Sequence, residues 1–273
     1  MRSGRTIALS VVAILVTGVL FLVPFAFIIV TALKSRQEAS DLAFTWPSQV
    51  MLFENLQAVI EERDYIIVIA FINSTILTVA SVTLIIVIAA MVAFVLQRRR
   101  SRWNWLVNFL VLSGLIIPPA VVPTIWVLER IGLFKTMPGL ILIEVAFGVS
   151  FAILLFRAFI GTIPRELDEA AIVDGAGPLR LFFRVVLPLL RPVVVTVIVV
   201  QSVTIFNDFV NPLYFLPDNP TLQLTLFNFQ DQFSTEYNLL FMDVLLITIP
   251  PLLVFLFFNR QIVAGMTSGA VKG

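Results

Sequence analysis

Residues 169–188 read EAAIVDGAGPLRLFFRVVLP, and they lie between two long apolar runs. The stretch reads as a short acidic helix that stops at a glycine, followed by an amphipathic segment ending in Leu187-Pro188. Pro164 opens the helix where a missing N–H costs nothing. Glu166, Asp168 and Glu169 occupy its first turns, where the positive helix terminus favours them. Leu167, Ala170, Ala171 and Val173 or Asp174 recur at three- and four-residue spacing and form a small, smooth apolar face. Gly175 supplies the left-handed residue that stops the helix. Gly177-Pro178 restarts one, with Leu179, Phe182, Phe183 and Val186 on one side and Arg180, Arg184 and Arg191 on another. Ala170 and Ala171 let a partner's surface approach the backbone, while Glu169 and Asp174 can accept hydrogen bonds from it. A rigid helix between two spans can pass a rigid-body push into a membrane. The alternative, a helix lying on the lipid surface, runs against its acidic charge.

The composition places the chain in a membrane. Hydrophobic residues are 59% and charged residues 13%, with a mean hydropathy of +1.03, whereas a soluble domain carries about 25% charge. The net charge of +1 argues against nucleic acid as a partner. Cysteine and histidine are both absent, which excludes thiol chemistry, disulfides, His- or Cys-based metal sites and histidine acid–base catalysis.

Six segments are long and apolar enough to cross a bilayer as helices: 7–33, 66–96, 105–128, 139–161, 189–211 and 239–263. None alternates like a barrel strand, so helices are the spanning solution. The first is too long for a signal-peptide core and reads as a retained span. Of the 18 basic residues, 13 fall on one side: Arg2, Arg5, Arg98, Arg99, Arg100, Arg102, Arg157, Arg165, Arg180, Arg184, Arg191, Arg260 and Lys272. The positive-inside rule puts that side, both termini and the 162–188 loop in the cytoplasm. The long external loops are acidic, with Glu38, Asp41, Glu54, Glu61, Glu62 and Asp64 in one and Asp218, Asp231 and Glu236 in the other. They are either solvated surface or a landing site for an external partner. With no repeat or low-complexity tract, residues 1–273 read as one all-α membrane domain.

The loop resembles the signature of ABC importer permeases: EAA, three residues, Gly, nine residues, an aliphatic, one residue, Leu-Pro. Here the terms are Glu169-Ala170-Ala171, Gly175, Val185 and Leu187-Pro188, with valine where isoleucine is usual. FINS at 71–74, IIPPAVVPTIWVL at 116–128, IPRELDEAAIVDGAG at 163–177, FNDFVNPL at 206–213 and GMTSGAVKG at 265–273 look like the carbohydrate importers, specifically the smaller maltose-type permease. The family often carries tryptophan where Phe206 stands. The resemblance implies a six-span, MetI-like permease in a bacterial or archaeal inner or plasma membrane. It implies a second, related permease subunit and two ATPase subunits docked on the loop helices. It also implies an extracytoplasmic sugar-binding protein, and ATP and Mg held by the ATPases alone. Consistently, this chain has no GxxxxGK[ST] phosphate loop. Glu169, Ala170, Ala171, Asp174, Gly175, Val185, Leu187 and Pro188 are then the ATPase-coupling residues. The tail Gly269, Ala270, Val271, Lys272 and Gly273 is either a frayed end or a segment that reaches toward the ATPase pair.

Polar residues in the spans are the candidates for a substrate path. Asn207 and Asp208, with Phe206 beside them, either meet sugar hydroxyls or cap helices near the interface. Glu144 lines a conduit or sits at the outer boundary. Asn73 opens the second span, where small polar groups bind helix to helix. Pro118, Pro119, Pro123, Pro250 and Pro251 are expected to break or kink their helices. No lysine or arginine cluster lies mid-span, which tilts the substrate toward a neutral di- or oligosaccharide. Glycerol-phosphate stays compatible. A secondary, ion-gradient transporter would need ionisable relays and related halves, and no inverted repeat is visible. A membrane enzyme would have to work without histidine or cysteine.

Overall fold

The computed structural model describes residues 4–229 and 235–270, with side chains described for 10–229 and 235–258. It is helical throughout, and no strand forms among the described residues. Two compact units are present: Met1–Ala70 with Leu224–Pro250, and Phe71–Gln223 with Pro251–Gly273.

The first unit opens with α1 (Gly4–Ala32). The most apolar part of this helix has a mean hydropathy of 2.8, and none of it is buried against protein. Such a surface needs hydrocarbon as its solvent. The short α2 (Arg36–Ser40) is capped by Ser35, whose hydroxyl accepts from the Glu38 N–H. Buried polar bonds then tie down the long segment before the second span. Lys34 is 1% exposed and donates to the Ala43 carbonyl at 2.7 Å and to Thr45 Oγ1 at 3.1 Å. Asn55 donates to the carbonyls of Ala32 and Lys34 at 2.8 and 2.9 Å and accepts from Asn238 at 2.9 Å. The helix α3 (Leu52–Arg98) breaks at 62–65, where Arg63, Asp64 and Tyr65 all have positive φ. Consecutive left-handed residues with side chains cost about 1–2 kcal/mol each, so the break separates the first stretch from the span that begins at 66.

In the second unit the expected 105–128 span is two helices, α4 (Asn104–Ile116) and α5 (Val121–Arg130). Pro118 forces its predecessor out of the α region, and Ile117 accordingly has ψ 120°. Next come α6 (Met137–Ile160), α7 (Glu166–Val173), α8 (Pro178–Leu181), a π turn at Phe182–Val186, α9 (Leu187–Leu189), α10 (Arg191–Phe206) and α11 (Val210–Phe215). A 3₁₀ turn at Leu222–Phe229 and the last helix, α12 (Tyr237–Ala270), follow, with residues 224–250 belonging to the first unit. This helix stays helical through Pro250 and Pro251. Among the described residues four helices are each long and apolar enough to cross a bilayer, and the pair Pro178–Leu189 with Arg191–Phe206, bent by 76°, makes a fifth if it is one span. The expected 189–211 span stops at Phe206, because Asn207 leaves helical geometry there.

The core of this unit is built on small residues. Ala89, Ala90 and Ala93 of α3 and Ala152 of α6 are fully buried beside Ile85, Phe156, Ile160 and Val197. Gly148 is tightly enclosed: a Cβ there would stand 2.6 Å from Ile85 Cδ1 and 2.8 Å from Gln201 Oε1. Small residues at such contacts let apolar helices pack by shape when lipid removes the hydrophobic incentive.

Candidate functional site

The loop helix α7 ends in a complete Schellman closure. The Gly175 N–H donates to the Ile172 carbonyl at 3.0 Å and the Ala176 N–H to the Ala171 carbonyl at 2.9 Å, with Gly175 at φ +80°. That pairing of C′ to C2 and C″ to C3 is the hydrogen-bond pattern of the motif. At the other end Arg165 is the N-cap, so Pro164 lies just before the helix rather than opening it. The helix presents Glu166, Leu167, Glu169, Ala170, Ile172, Val173 and Asp174 to its surroundings, and Val173 is 86% exposed. Ala171 is half-buried.

Asp168 alone among the loop's acids turns inward. It is 8% exposed and pairs with Arg98 at 2.6 Å. The Arg98 guanidinium also donates to the Ile163 carbonyl at 3.0 Å, just past the end of α6. Between α7 and the end of α3 lies a pocket of about 420 Å³, lined by Phe94, Arg98, Arg99, Arg165, Asp168 and Ile172 among others.

The second half of the loop departs from the expected helical face. The Leu187 N–H reaches back five residues to the Phe182 carbonyl, the spacing of a π turn. Around this turn Leu181, Phe182 and Val186 are buried, while Leu179 and Phe183 are exposed. The Phe182 ring seats against Phe94 of α3. Val185 and Leu187 are half-buried and Pro188 is exposed.

At the far end of α10 the structure joins two of the polar candidates. Asn211 donates to Glu144 Oε1 at 3.1 Å and also to Asp208 Oδ2. Asp208 Oδ1 accepts from the backbone N–H groups of Val210 and Asn211 and so starts α11. One amide, with two N–H groups, thereby serves two carboxyls. Glu144 is 4% exposed and borders a cleft of about 330 Å³ between α6 and α10, lined also by Phe147, Phe151, Gln201 and Thr204. The other three candidates stand apart from this cluster. Asn73 donates to the Pro220 carbonyl at 3.0 Å, a tie between span and loop. Phe206 is buried. Asn207 closes α10 on the Val203 carbonyl and accepts from Gln223. Of the tail, Gly269 and Ala270 end α12, while Val271, Lys272 and Gly273 lie outside the described residues.

Comparisons with known proteins identify the family of this helical chain. The profile of the family described as binding-protein-dependent transport system inner membrane component matches residues 85–268. The chain belongs to that family. Two relatives align over their whole length. The chain is 32% identical over 280 residues, 100% of both chains, to the melibiose/raffinose/stachyose import permease protein MelC of Bacillus subtilis. It is 32% identical over 279 residues, again 100% of both, to the trehalose transport system permease protein SugB of Mycobacterium tuberculosis. It is 30% identical to the diacetylchitobiose uptake system permease protein NgcG of Streptomyces coelicolor, covering 98% of this chain and 90% of that one. Among solved structures, a bacterial ABC transporter involved in the import of the acidic polysaccharide alginate superposes with a TM-score of 0.80 at 19% identity, covering 95% of this chain and 98% of its counterpart. That likeness concerns the fold. This family member is therefore a multi-pass inner-membrane component with the MetI-like permease fold, and its relatives are transporter subunits.

Three residues of this permease are given no site role by the sequence. Arg98 sits in an arginine run that reads only as an orientation signal, and Asp168 is one of three acids in a helix's first turn. Asn211 lies inside the quoted FNDFVNPL motif, which was the available hint.

Proposed function

We propose that this chain is the membrane-spanning, non-catalytic subunit of an ATP-driven importer that carries a neutral di- or oligosaccharide into the cytoplasm by alternating access. The observation that carries the reading is the loop helix α7: closed by Gly175, braced by Arg98, and presenting an acid-flanked apolar face on which Val173 is 86% and Ile172 57% exposed. Such a face suits a soluble ATPase subunit. Two ATPases would bind ATP and Mg, one beneath this permease and one beneath a second, related permease, and an extracytoplasmic binding protein would deliver the sugar. A solved relative of the same fold was captured with an alginate pentasaccharide-bound periplasmic protein, which supports that arrangement. In this reading residues 1–273 act as one permease domain with six crossings and both termini in the cytoplasm. The pairs α4–α5 and α9–α10 supply the crossings that are broken. ATP closes the ATPases, α7 moves with them, and hydrolysis resets the path. Glu169, Ala170, Ala171, Asp174, Gly175, Val185, Leu187 and Pro188 would form the coupling loop, and the tail from Gly269 would approach the ATPase pair.

The substrate class rests on the three sugar-import relatives and on the chemistry of the α6–α10 cleft. Phe147 and Phe151, one turn apart, offer aromatic faces, and Glu144 and Gln201 offer hydrogen-bonding groups. Pockets of about 300–1,000 Å³ with a few placed polar groups suit small ligands. Two carboxyls on one amide disfavour an anionic substrate such as glycerol-phosphate. The test is ATP hydrolysis by the co-purified complex in nanodiscs, with its binding protein, across a panel of neutral oligosaccharides. Stimulation by one sugar is expected. Complexes that lack an ATPase subunit and respond to no sugar would instead leave a stand-alone, ion-driven transporter.

A further inference from the structure

The loop helix α7 is joined covalently to α6 and, through the π turn, toward α10, but to α3 it is joined only by side chains. Asp168 and Arg98 form that link at 2.6 Å, with side-chain exposures of 12% and 10%. Arg98 donates as well to the Ile163 carbonyl at 3.0 Å, and Arg165 reaches back from the loop to the Gln97 carbonyl at 3.4 Å. Phe94, Val95, Ile172 and Leu181 line the pocket beside the pair, together with Arg99, Arg165 and Glu169, and Phe182 packs at a tilt against Phe94. An ion pair in bulk water separates at little cost. One shielded like this leaves two charges uncompensated if it opens, and that is strongly unfavourable.

We infer that the Arg98–Asp168 pair makes α7 and the end of the second span one moving body, so that a push on the loop helix is delivered to α3 as well as to α6 and α10. Arg98 is thus a positioning residue for transport, acting through α7. A helix moved at one end as a rigid element carries that displacement along its length, and α3 is helical from 66 to 98. The inference rests on the proposed docking of an ATPase on α7.

The chain contains no cysteine, so a pair of introduced thiols is uniquely addressable once the partner subunits are cysteine-free. An arginine side chain spans more than a disulfide bridges, so Arg98→Cys/Asp168→Cys is joined with a short bis-methanethiosulfonate linker that reductant removes. The whole transporter in proteoliposomes is then assayed for sugar moved per ATP hydrolysed. We expect the unlinked pair to lose about fivefold in that ratio with the ATPases still bound, and linking to restore it to within about twofold of wild type. Arg98→Gln should lose a similar factor, and the exchange Arg98→Asp/Asp168→Arg should recover it. A ratio unchanged in Arg98→Gln, a cysteine pair that cannot be linked, or linking that leaves or deepens the loss each overturns the inference. If Arg98→Gln sheds the ATPases, the linked pair decides. A wild-type complex that carries no ATPase at all refutes the docking proposal instead, and that is seen before any substitution is made.

Discussion

Replacing Gly175 tests the loop helix most directly, because the structure separates the backbone cost from every other cost. The residue sits at φ +80°, and an added Cβ would meet nothing within 4 Å. Gly175→Ala therefore carries no clash, only the left-handed penalty of about 1–2 kcal/mol. Gly175→Val carries more, since a branched Cβ tolerates positive φ least. The chain can relieve the strain by opening the closure, but then the two bonds from the Gly175 and Ala176 N–H groups are lost, at about 0.5–1.5 kcal/mol each. An eight-residue helix has little intrinsic stability to absorb this. Every 1.4 kcal/mol is tenfold in population. The alanine variant should hold the closed terminus about tenfold less firmly, and the valine variant less firmly still. Gly177 is the internal control: its Cβ would also meet open space, but its φ is −68°, so Gly177→Ala should be silent. The assay is binding-protein-dependent uptake and ATP hydrolysis in proteoliposomes, on complexes checked for bound ATPase. We expect wild-type transport for Gly177→Ala, partial loss for Gly175→Ala and uncoupling for Gly175→Val. Wild-type uptake by Gly175→Val would refute the reasoning, and so would equal damage from Gly177→Ala.

Other substitutions probe the remaining sites. Asn211→Leu removes the shared donor of Glu144 and Asp208, and an unmet buried group costs about 1–3 kcal/mol; sugar-stimulated ATP hydrolysis should fall while assembly persists, and an unchanged response refutes a role for the cluster. Gly148→Val drives carbon atoms into Ile85 and Gln201, so overpacking by about 1–3 kcal/mol should lower the melting temperature of the purified complex. Lys34→Met leaves the Ala43 carbonyl and Thr45 hydroxyl without their donor and should raise protease cleavage within 41–51, with the second unit unaffected. Deleting 268–273 should reduce transport-coupled ATP hydrolysis, and intact coupling would reassign the tail to a frayed end.

Much of the architecture was legible because its signals are local. Gly175 before Gly177-Pro178 marks a helix stop and restart, and both occur there. Pro118-Pro119 announces the break between α4 and α5, since the clash with the preceding residue needs no tertiary context. The single apolar side read for Leu179, Phe182, Phe183 and Val186 is divided, with Phe182 and Val186 buried and Leu179 and Phe183 exposed. A 3.6-residue period assumes bonds to the fourth residue back, and the bond from the Leu187 N–H to the Phe182 carbonyl, the fifth, breaks that period within 182–187. Lys34 reads as an external charge and is almost wholly enclosed, because its carbonyl partner belongs to a turn whose path sequence does not reveal.

The Arg98–Asp168 pair marks the limit of local reading most clearly. In sequence, Glu166, Asp168 and Glu169 are equivalent acids at a helix start, and the dipole argument favours all three alike. What distinguishes Asp168 is the direction of one face toward a residue in a distant segment. Arg98, for its part, is one of four neighbouring arginines whose collective meaning is topology. An orientation signal tolerates the exchange of one arginine for another, whereas a shielded pair at 2.6 Å does not. Moving the charge from position 98 to a lysine at 101 would preserve the positive-inside count, and hence the topology, while removing the link to α7. Topology and coupling are therefore separable properties of the same short run, and only the second depends on which arginine faces Asp168.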